Sequence, residues 1–545
     1  MDIERFLPPL ENRPDLIYTL PETYFPRETN YVVEMLDRHI EDGKGDLIAY
    51  YFQKADGSTE KITYLQVYQN ANRVGNMFRS LGVKKGDRVL ISLLEGPDLI
   101  YAMLGAIKIG AICVPFSPLC RTKEIIYFIQ DTLPKVLIVH PEMEPELREI
   151  DRTLLSDVKV MVFPDVEGYD GFSKYAENTA TLIPESTLKD DIAVIFYTSG
   201  TTGNPKGCTH THGELLAAGV LHTKHWLKFV QGDVILCPGA AVHAFGYGMK
   251  VTFPLLGGAG CVLYEKFTPE NIYKAVHNYR VTHMIFVAPV LYNIFIENKL
   301  EGYDLSSIRM LAGLIGSESV CNQLKEVFGT YPQNPIGMAP MAHNFTVTGC
   351  GEPPCSLGKM MPGYEGYVVS TDKDEIFDKD GKIKELAPGE IGRLVVRGPT
   401  GITYWNKSEQ AAQDVRFGWN ILDDAISRDD KGFLHWHSRT DDIIKTNGHN
   451  VAPKEVEGTL IEHPAVEKCA VIGIPDDRRG ALIMAFIRLK AGVEPSEELV
   501  KELQDFTKQK IAPFKYPRRI EFTDNLEQDQ LGKVSYKKLR ARATQ

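Results

Sequence analysis

An α/β fold, built mostly on doubly wound parallel sheet and followed by a small α+β domain, is what three features of this 545-residue sequence predict. Short apolar runs alternate with helix-period segments from residue 47 to residue 297. The pattern shortens and becomes strand-rich around Ile391–Arg397. The last hundred residues change character again, into a compact α+β unit. Strand–helix alternation implies parallel pairing through crossover helices. One hydrophobic core does not usually serve a chain this long, so at least two domains are expected. The boundary falls near Asp441. A large N-terminal domain over 1–440 then holds two doubly wound subdomains and a small β-barrel-like one, and a C-terminal domain covers 441–545.

The elements follow in order. Residues 1 to about 45 carry Pro8, Pro9, Pro14, Pro21 and Pro26, an irregular lead-in that ends in a helix near Tyr31–Ile40. Leu47–Gln53 and Lys61–Tyr64 flank the turn Ala55–Ser58 and read as a hairpin. Tyr64–Leu81 has helical spacing and stops at Gly82, a C-cap residue. Asp87–Leu93 reads as a strand, Leu99–Ile109 as a helix ending at Gly110, and Ala111–Pro115 as the next strand. Further strands are read at Val136–Val139, Val158–Phe163, Ile192–Tyr197, Val234–Cys237, Gly260–Tyr264 and His283–Val287, with helices at Gly213–His222, Pro269–Tyr279 and Pro289–Glu297. In the C-terminal part, Pro453–His463 and Glu497–Lys510 read as helices, and Cys469–Ile474 and Ile483–Leu489 as strands.

The most informative stretch lies between Tyr197 and Gly207. A buried strand runs into Thr198, Ser199, Gly200, Thr201, Thr202, Gly203, Asn204, Pro205 and Lys206. Such a loop offers free backbone N–H groups, small hydroxyls and one mobile cation, which is what wrapping a polyphosphate requires. The plainer alternative is a flexible surface turn. A Walker loop is excluded, because Gly203 stands three residues before Lys206 and Gly207 follows it, whereas that motif needs Gly, four residues, then Gly-Lys-Ser/Thr.

Composition narrows the class. Apolar residues are 43% and charged residues 24%, ordinary globular values, and the net charge of −11 argues against a nucleic-acid binder. Nine cysteines without a C-x-x-C pair suit reduced thiols in a cytoplasmic enzyme rather than a disulfide framework or zinc site. The first residues lack signal-peptide character, and no apolar run is long enough for a membrane span. Monomer and homodimer stay equally open.

The stretch Thr198–Gly207 resembles the signature loop of the adenylate-forming superfamily, which includes acyl-CoA synthetases, peptide-synthetase adenylation domains and beetle luciferases. The resemblance covers nearly the whole chain: Arg73–Pro118, Leu434–Glu457 and Lys515–Arg540 match further family segments. The last of these, with Asp37-Arg38-His39, looks most like medium-chain and aromatic acyl-CoA ligases. The resemblance implies a small, mobile C-terminal domain and a two-step reaction using ATP/AMP, Mg²⁺, coenzyme A and a small carboxylic acid. By the same match Lys533 would bridge carboxylate and α-phosphate, with a solvated tail lysine as the plainer alternative. Asp424 would accept the ribose hydroxyls, Arg439 would contact ribose, and Asp441 would be the hinge. Gly448 and His449 would lie on the coenzyme A path. Gly313, Ile336 and Gly337 would border the adenine and α-phosphate. His243 would stand near the carboxylate, with Phe245, Tyr247, Gly248 and Ile315 lining the acyl pocket, although the aromatics could equally be core. No aspartate sits in this segment to hold an amino group, so an amino-acid substrate is not expected. Thr201 is a metal candidate.

Three departures stand out. Ala339 and Pro340 occupy the positions where relatives place a phosphate-binding Thr and a Mg²⁺-binding Glu, and neither offers the oxygen donors a hard cation needs. Ile421-Leu422-Asp423-Asp424 keeps only the final aspartate of Arg-Thr-Gly-Asp. Leu314 and Ile315 replace polar residues beside the adenine. A slipped match with Asn334 or His343 nearby, another carboxylate for the metal, a preference for the reverse direction, and a degenerate relative are the competing explanations. The favoured expectation is an AMP-forming acyl-CoA synthetase for a medium-sized apolar acid, aromatic, alicyclic or short-to-medium chain. The alternatives are a non-turning nucleotide or acyl-CoA binder and an adenylating enzyme with a carrier-protein acceptor.

Overall fold

The computed structural model describes residues 3–198, 205–286, 300–313, 318–348, 356–446, 449–476, 480–527 and 534–543, with Tyr292 and 294–296 between them. The fold is mixed α/β, and the chain divides into two compact units, one formed by 1–365 with 396–420 and the other by 366–395 with 421–545.

The first unit contains two large sheets. One runs in spatial order Tyr404–Trp405, Lys206–Thr211, Ile192–Thr198, Ile112–Pro115, Arg88–Ser92, Val136–Val139, Lys159–Val162 and Asp170–Gly171. The other runs Met310–Gly313, His283–Phe286, Val234–Leu236, Gly260–Tyr264, Ile48–Gln53 and Thr59–Thr63. Central strands such as Arg88–Ser92 and Val136–Val139 are buried throughout, as expected where helices cover both faces of a parallel sheet. Two helices open on capping boxes: Thr63 with Gln66 starts Tyr64–Ser80, and Thr211 with Glu214 starts His212–Leu221.

Neither sheet is wholly parallel. Thr59–Thr63 and Lys206–Thr211 both pair antiparallel with their neighbours. The second of these strands departs from expectation, because its run Lys-Gly-Cys-Thr-His-Thr carries almost no apolar signal, yet Gly207 to His210 are buried. The glycine-rich loop therefore closes a hairpin rather than leading straight into a helix. The helices Thr122–Thr132 and Glu318–Phe328 and the strand Met310–Gly313 also emerge only in the structure. Of the helix read at Pro289–Glu297, the described residues Tyr292 and 294–296 are helical.

In the second unit, Val466–Asp476, Gly480–Leu489 and Arg519–Phe522 form a three-stranded sheet. Helices Pro453–Ile461 and Glu497–Lys510 cover a core of Val456, Leu460, Val471, Ile483, Ile487 and Leu503. Where the sequence turns strand-rich, around Ile391–Arg397, the strand Gly392–Arg397 forms. Among the described residues no helix is long and apolar enough to cross a membrane. All seven described cysteines are free thiols.

Candidate active site

The glycine-rich loop is held firmly at both described ends. Thr198 and Lys206 face one another in register across the hairpin. On the entering strand, the Tyr197 hydroxyl donates to Asp131 Oδ2 at 2.5 Å, and beyond the loop Tyr127 donates to the Pro205 carbonyl at 3.0 Å. Asp131 also receives Trp405 Nε1 through its carbonyl at 2.9 Å. The helix Thr122–Thr132 thus fixes the mouth of the loop. Lys206 lies with its Nζ 5.3 Å from the centroid of the Tyr404 ring and 3.8 Å from Asp414 Oδ2. Ser199, Gly200, Thr201, Thr202 and Gly203 fall outside the described residues.

Two histidines follow on the exit side and are framework, not acid–base groups. His210 Nε2 meets the Ala339 carbonyl at 2.8 Å, and His212 Nδ1 accepts from the Tyr31 amide at 3.0 Å. Burial pushes both down to about 4, so they are neutral near pH 7. Glu214, closing the capping box, also accepts from the Gly401 amide, and burial raises its carboxyl to about 7.

Through His210 the exit strand anchors the segment that departs most from the family pattern. Ile336 donates its amide to Thr346 Oγ1 at 2.9 Å, and Gly337 bridges to Asn344. Between them, Ala339–Met341 forms a 3₁₀ turn, and Ala342 follows at φ 62°, ψ −41°. The His343 amide reaches the Met341 carbonyl at 2.7 Å, which makes residues 341–343 a γ-turn of the strained, positive-φ kind. Ala339 and Pro340 contribute no side-chain oxygen. Among the described residues no group of three His, Cys, Asp or Glu side chains converges on a metal position. His343 does not fill that gap, since its nitrogens face His222 and the Phe245 carbonyl.

The strained turn delivers His343 to the segment His243–Gly248. His343 Nδ1 lies 3.2 Å from His222 Nε2, and His222 Nδ1 lies 2.6 Å from the Ala218 carbonyl. His343 Nε2 is 3.3 Å from the Phe245 carbonyl, and its ring stacks on Phe245 at 4.9 Å. Burial lowers His222 to about 4 and His343 well below the usual histidine range. A Cβ on Gly248 would sit 2.5 Å from His343 Cδ2, so only glycine admits the ring here. Phe196, Leu215, Tyr247, Gly248, Phe253 and His343 line an apolar cavity of about 10 Å³, roughly the room of one water. Tyr247 and Gly248 line this cavity, and Phe245 stacks on the His343 side of it. His243 stands exposed ahead of the short helix Ala244–Tyr247. Ile315 falls outside the described residues.

Gly313 ends the strand Met310–Gly313, and packing accounts for its identity. A Cβ there would lie 2.6 Å from the Phe286 carbonyl oxygen of the neighbouring strand.

In the second unit Asp424 and Arg439 stand opposite each other on paired strands, with Arg439 Nη1 3.3 Å from Asp424 Oδ2. Trp436 Nε1 donates to Asp424 Oδ1 at 3.0 Å. Asp423 is bound by Arg393 Nη1 at 2.5 Å. Burial works to raise Asp423, but Lys373, Arg393 and Arg439 outweigh it and hold the carboxyl below its usual range. A carboxylate with acceptor capacity beside a guanidinium suits a vicinal diol. Asp441 is exposed in the turn Thr440–Asp442, and its neighbour Asp442 is ion-paired with Arg540. Gly448 and Lys533 fall outside the described residues, as does the side chain of His449, whose backbone begins the strand His449–Val451. Trp436, Arg393, Asp414 and His222 were not read from the sequence.

The fold and these segments define an adenylate-forming protein. Residues 36–405 match the family model for the AMP-binding enzyme, and residues 455–533 match that for the AMP-binding enzyme C-terminal domain. The acetyl-coenzyme A synthetase of Bacillus subtilis (strain 168) is 31% identical, across 94% of this chain and 90% of that one. The benzoate–CoA ligase of Thauera aromatica is 30% identical, across 96% and 98%. A crystal structure of the anthranilate CoA ligase AuaEII in complex with anthranoyl-AMP superposes with a TM-score of 0.81 at 31% identity, covering 96% of this chain and 99% of that one. The chain belongs to the AMP-binding enzyme family.

Proposed function

We propose that the protein is an AMP-forming acyl-CoA synthetase that joins an apolar carboxylic acid to coenzyme A. The observation that carries the reading is the apolar cavity at Tyr247 and Gly248, in the same unit as the glycine-rich loop. A carboxylate oxygen attacks the α-phosphorus of MgATP, forming acyl-AMP as the bond to pyrophosphate breaks. The coenzyme A thiolate, its proton lost to solvent, then attacks the acyl carbon, forming the thioester as the bond to AMP breaks. Positioning and charge neutralisation dominate the first step.

In this reading the loop hydroxyls and Lys206 take the phosphates, and Asp424 with Arg439 takes the ribose hydroxyls. Gly313, Ile336 and Gly337 border the base and α-phosphate, and Lys533 bridges the carboxylate and α-phosphate. His243 orients the carboxylate, and Gly448 and His449 line the pantetheine path. Residues 441–545 turn about Asp441 between the two steps. Mg²⁺ enters with ATP, and no side chain at 339–340 is assigned to it. The finer assignment, a medium-sized acid, requires His343 or Phe245 to turn aside, because the cavity holds only about 10 Å³. Free thiols throughout the described residues support a reducing, cytoplasmic setting.

The test is a panel of carboxylates with MgATP and coenzyme A, scored for acyl-CoA, AMP and pyrophosphate. Absence of turnover in either direction sinks the reading. Ala339 and Pro340 favour a second reading, a binder without turnover, which predicts saturable ATP binding with no pyrophosphate exchange. Replacing coenzyme A by holo carrier protein in the same assay identifies the acceptor.

A further inference from the structure

Lys206 enters the functional reading as a polyphosphate ligand, yet the structure shows it engaged elsewhere. It is the first residue of the strand Lys206–Thr211, with its backbone paired to Thr198, so its Cα is fixed and only its four-carbon stem can move. The ammonium lies over the Tyr404 ring at 5.3 Å and 3.8 Å from Asp414 Oδ2. At 3.8 Å the contact with the carboxylate is an ion pair beyond hydrogen-bond length, which spans about 2.7–3.2 Å. Among the described residues the ammonium thus meets no acceptor at hydrogen-bond length, and its donors can turn to stronger acceptors.

Asp414 is built to survive the loss of this cation. Its side chain is 4% exposed, and Oδ2 accepts from Gln410 Nε2 at 2.9 Å and from the Tyr404 hydroxyl at 3.2 Å. Lys206, by contrast, is 22% exposed. One partner is anchored by neutral hydrogen bonds and the other is tethered by charge and a ring face.

We propose that Asp414 and Tyr404 form a resting site for the Lys206 ammonium, occupied when polyphosphate is absent and vacated when ATP binds. The proposal rests on the reading that the loop handles polyphosphate. Asp414 is then a positioning residue that acts through Lys206. It keeps the loop cation out of the phosphate position, weakens ATP binding by the strength of the pair, and reclaims the lysine as pyrophosphate leaves.

This gives an unusual sign. Removing a buried carboxylate for structural reasons alone weakens ligand binding, whereas removing a competitor for Lys206 tightens it. The experiment measures MgATP affinity calorimetrically on the full chain in a double-mutant cycle of Asp414→Asn and Lys206→Ala. Asp414→Asn is expected to tighten MgATP about twofold to fivefold in the wild-type background, the range for a partly exposed ion pair, and to change nothing in the Lys206→Ala background. Weaker or unchanged binding in Asp414→Asn, or an equal shift in both backgrounds, overturns the proposal. Should Asp414→Asn fail to fold, Asp414→Ser keeps a hydroxyl acceptor for Gln410 and Tyr404, removes the charge, and carries the same expectation through the same cycle. A wild-type chain that binds no MgATP overturns the functional reading itself, and this proposal with it.

Discussion

Acid should destabilise the first unit steeply, because it folds around neutral imidazoles. His210, His212 and His222 are each pushed by burial from 6.5 to about 4. Between those values the unfolded chain binds protons that the folded chain refuses, so stability is complete above pH 6.5 and is lost as the pH falls toward 4. Glu214 opposes this, since its folded value is raised from 4.5 to about 7 and the folded state holds the extra proton. At about pH 5 the three histidines, less the opposing Glu214, leave a difference of about 2 protons from these four groups and a slope of roughly 3 kcal/mol per pH unit. The slope is shallower nearer the unfolded histidine value, so the whole step from about pH 6.5 to about pH 5 costs about 3 kcal/mol. Urea unfolding followed by tryptophan fluorescence measures it, with Trp226 and Trp405 buried as reporters in this unit. A stability that stays level or rises across that window refutes the placement of neutral histidines in the core.

Three further outcomes are expected. Asp424→Asn removes the charge that faces Arg439 and should weaken ATP binding about tenfold or more, the worth of a charge-assisted hydrogen bond, while circular dichroism stays unchanged. Ala342→Gly relieves the positive φ of the γ-turn and should raise stability by about 1 kcal/mol in urea unfolding, since backbone strain of this kind costs about 1–3 kcal/mol and glycine gives back part of it in chain entropy. Lys533→Ala should abolish pyrophosphate exchange and spare thioester formation from added acyl-AMP, whereas Gly448→Leu should do the reverse. Equal loss of both steps in both variants contradicts the turning of the C-terminal part.

Much of the framework is legible in the sequence, for reasons that differ by element. Val136–Val139, Gly260–Tyr264 and Pro269–Tyr279 fall where their apolar patterns place them, because buried parallel strands and amphipathic helices announce themselves through side-chain chemistry. Lys206–Thr211 does not, because its strand character comes from pairing with Ile192–Thr198 rather than from its own residues. A motif points to Asp424 as the ribose carboxylate, but nothing local points to its contact with Trp436. A register shift between Ala425 and Ile426 lets Asp424 meet both Trp436 and Arg439, residues three apart that regular alternation would send to opposite faces. The glycine at 313 reads as room for a base, and the structure supplies a second constraint in the Phe286 carbonyl. Contacts between distant segments, such as His343 with His222, leave no trace in local pattern.

That last pair has a consequence for proton count. The chain of contacts runs from the Ala218 carbonyl through His222 and His343 to the Phe245 carbonyl, with gaps of 2.6, 3.2 and 3.3 Å. Each gap needs one hydrogen, and two neutral imidazoles bring only two. The shortest gap claims the Nδ1 hydrogen of His222, which leaves Nε2 of that ring as an acceptor. His343 then spends its single hydrogen on Nδ1 to meet it. With the hydrogens placed in this way, the contact of His343 Nε2 with the Phe245 carbonyl, the longest of the three gaps, is the one left without a hydrogen. A third hydrogen would complete the relay, but burial makes the imidazolium that would carry it costly. Two neutral rings therefore leave one of the three contacts without a hydrogen, beside the cavity lined by Tyr247 and Gly248.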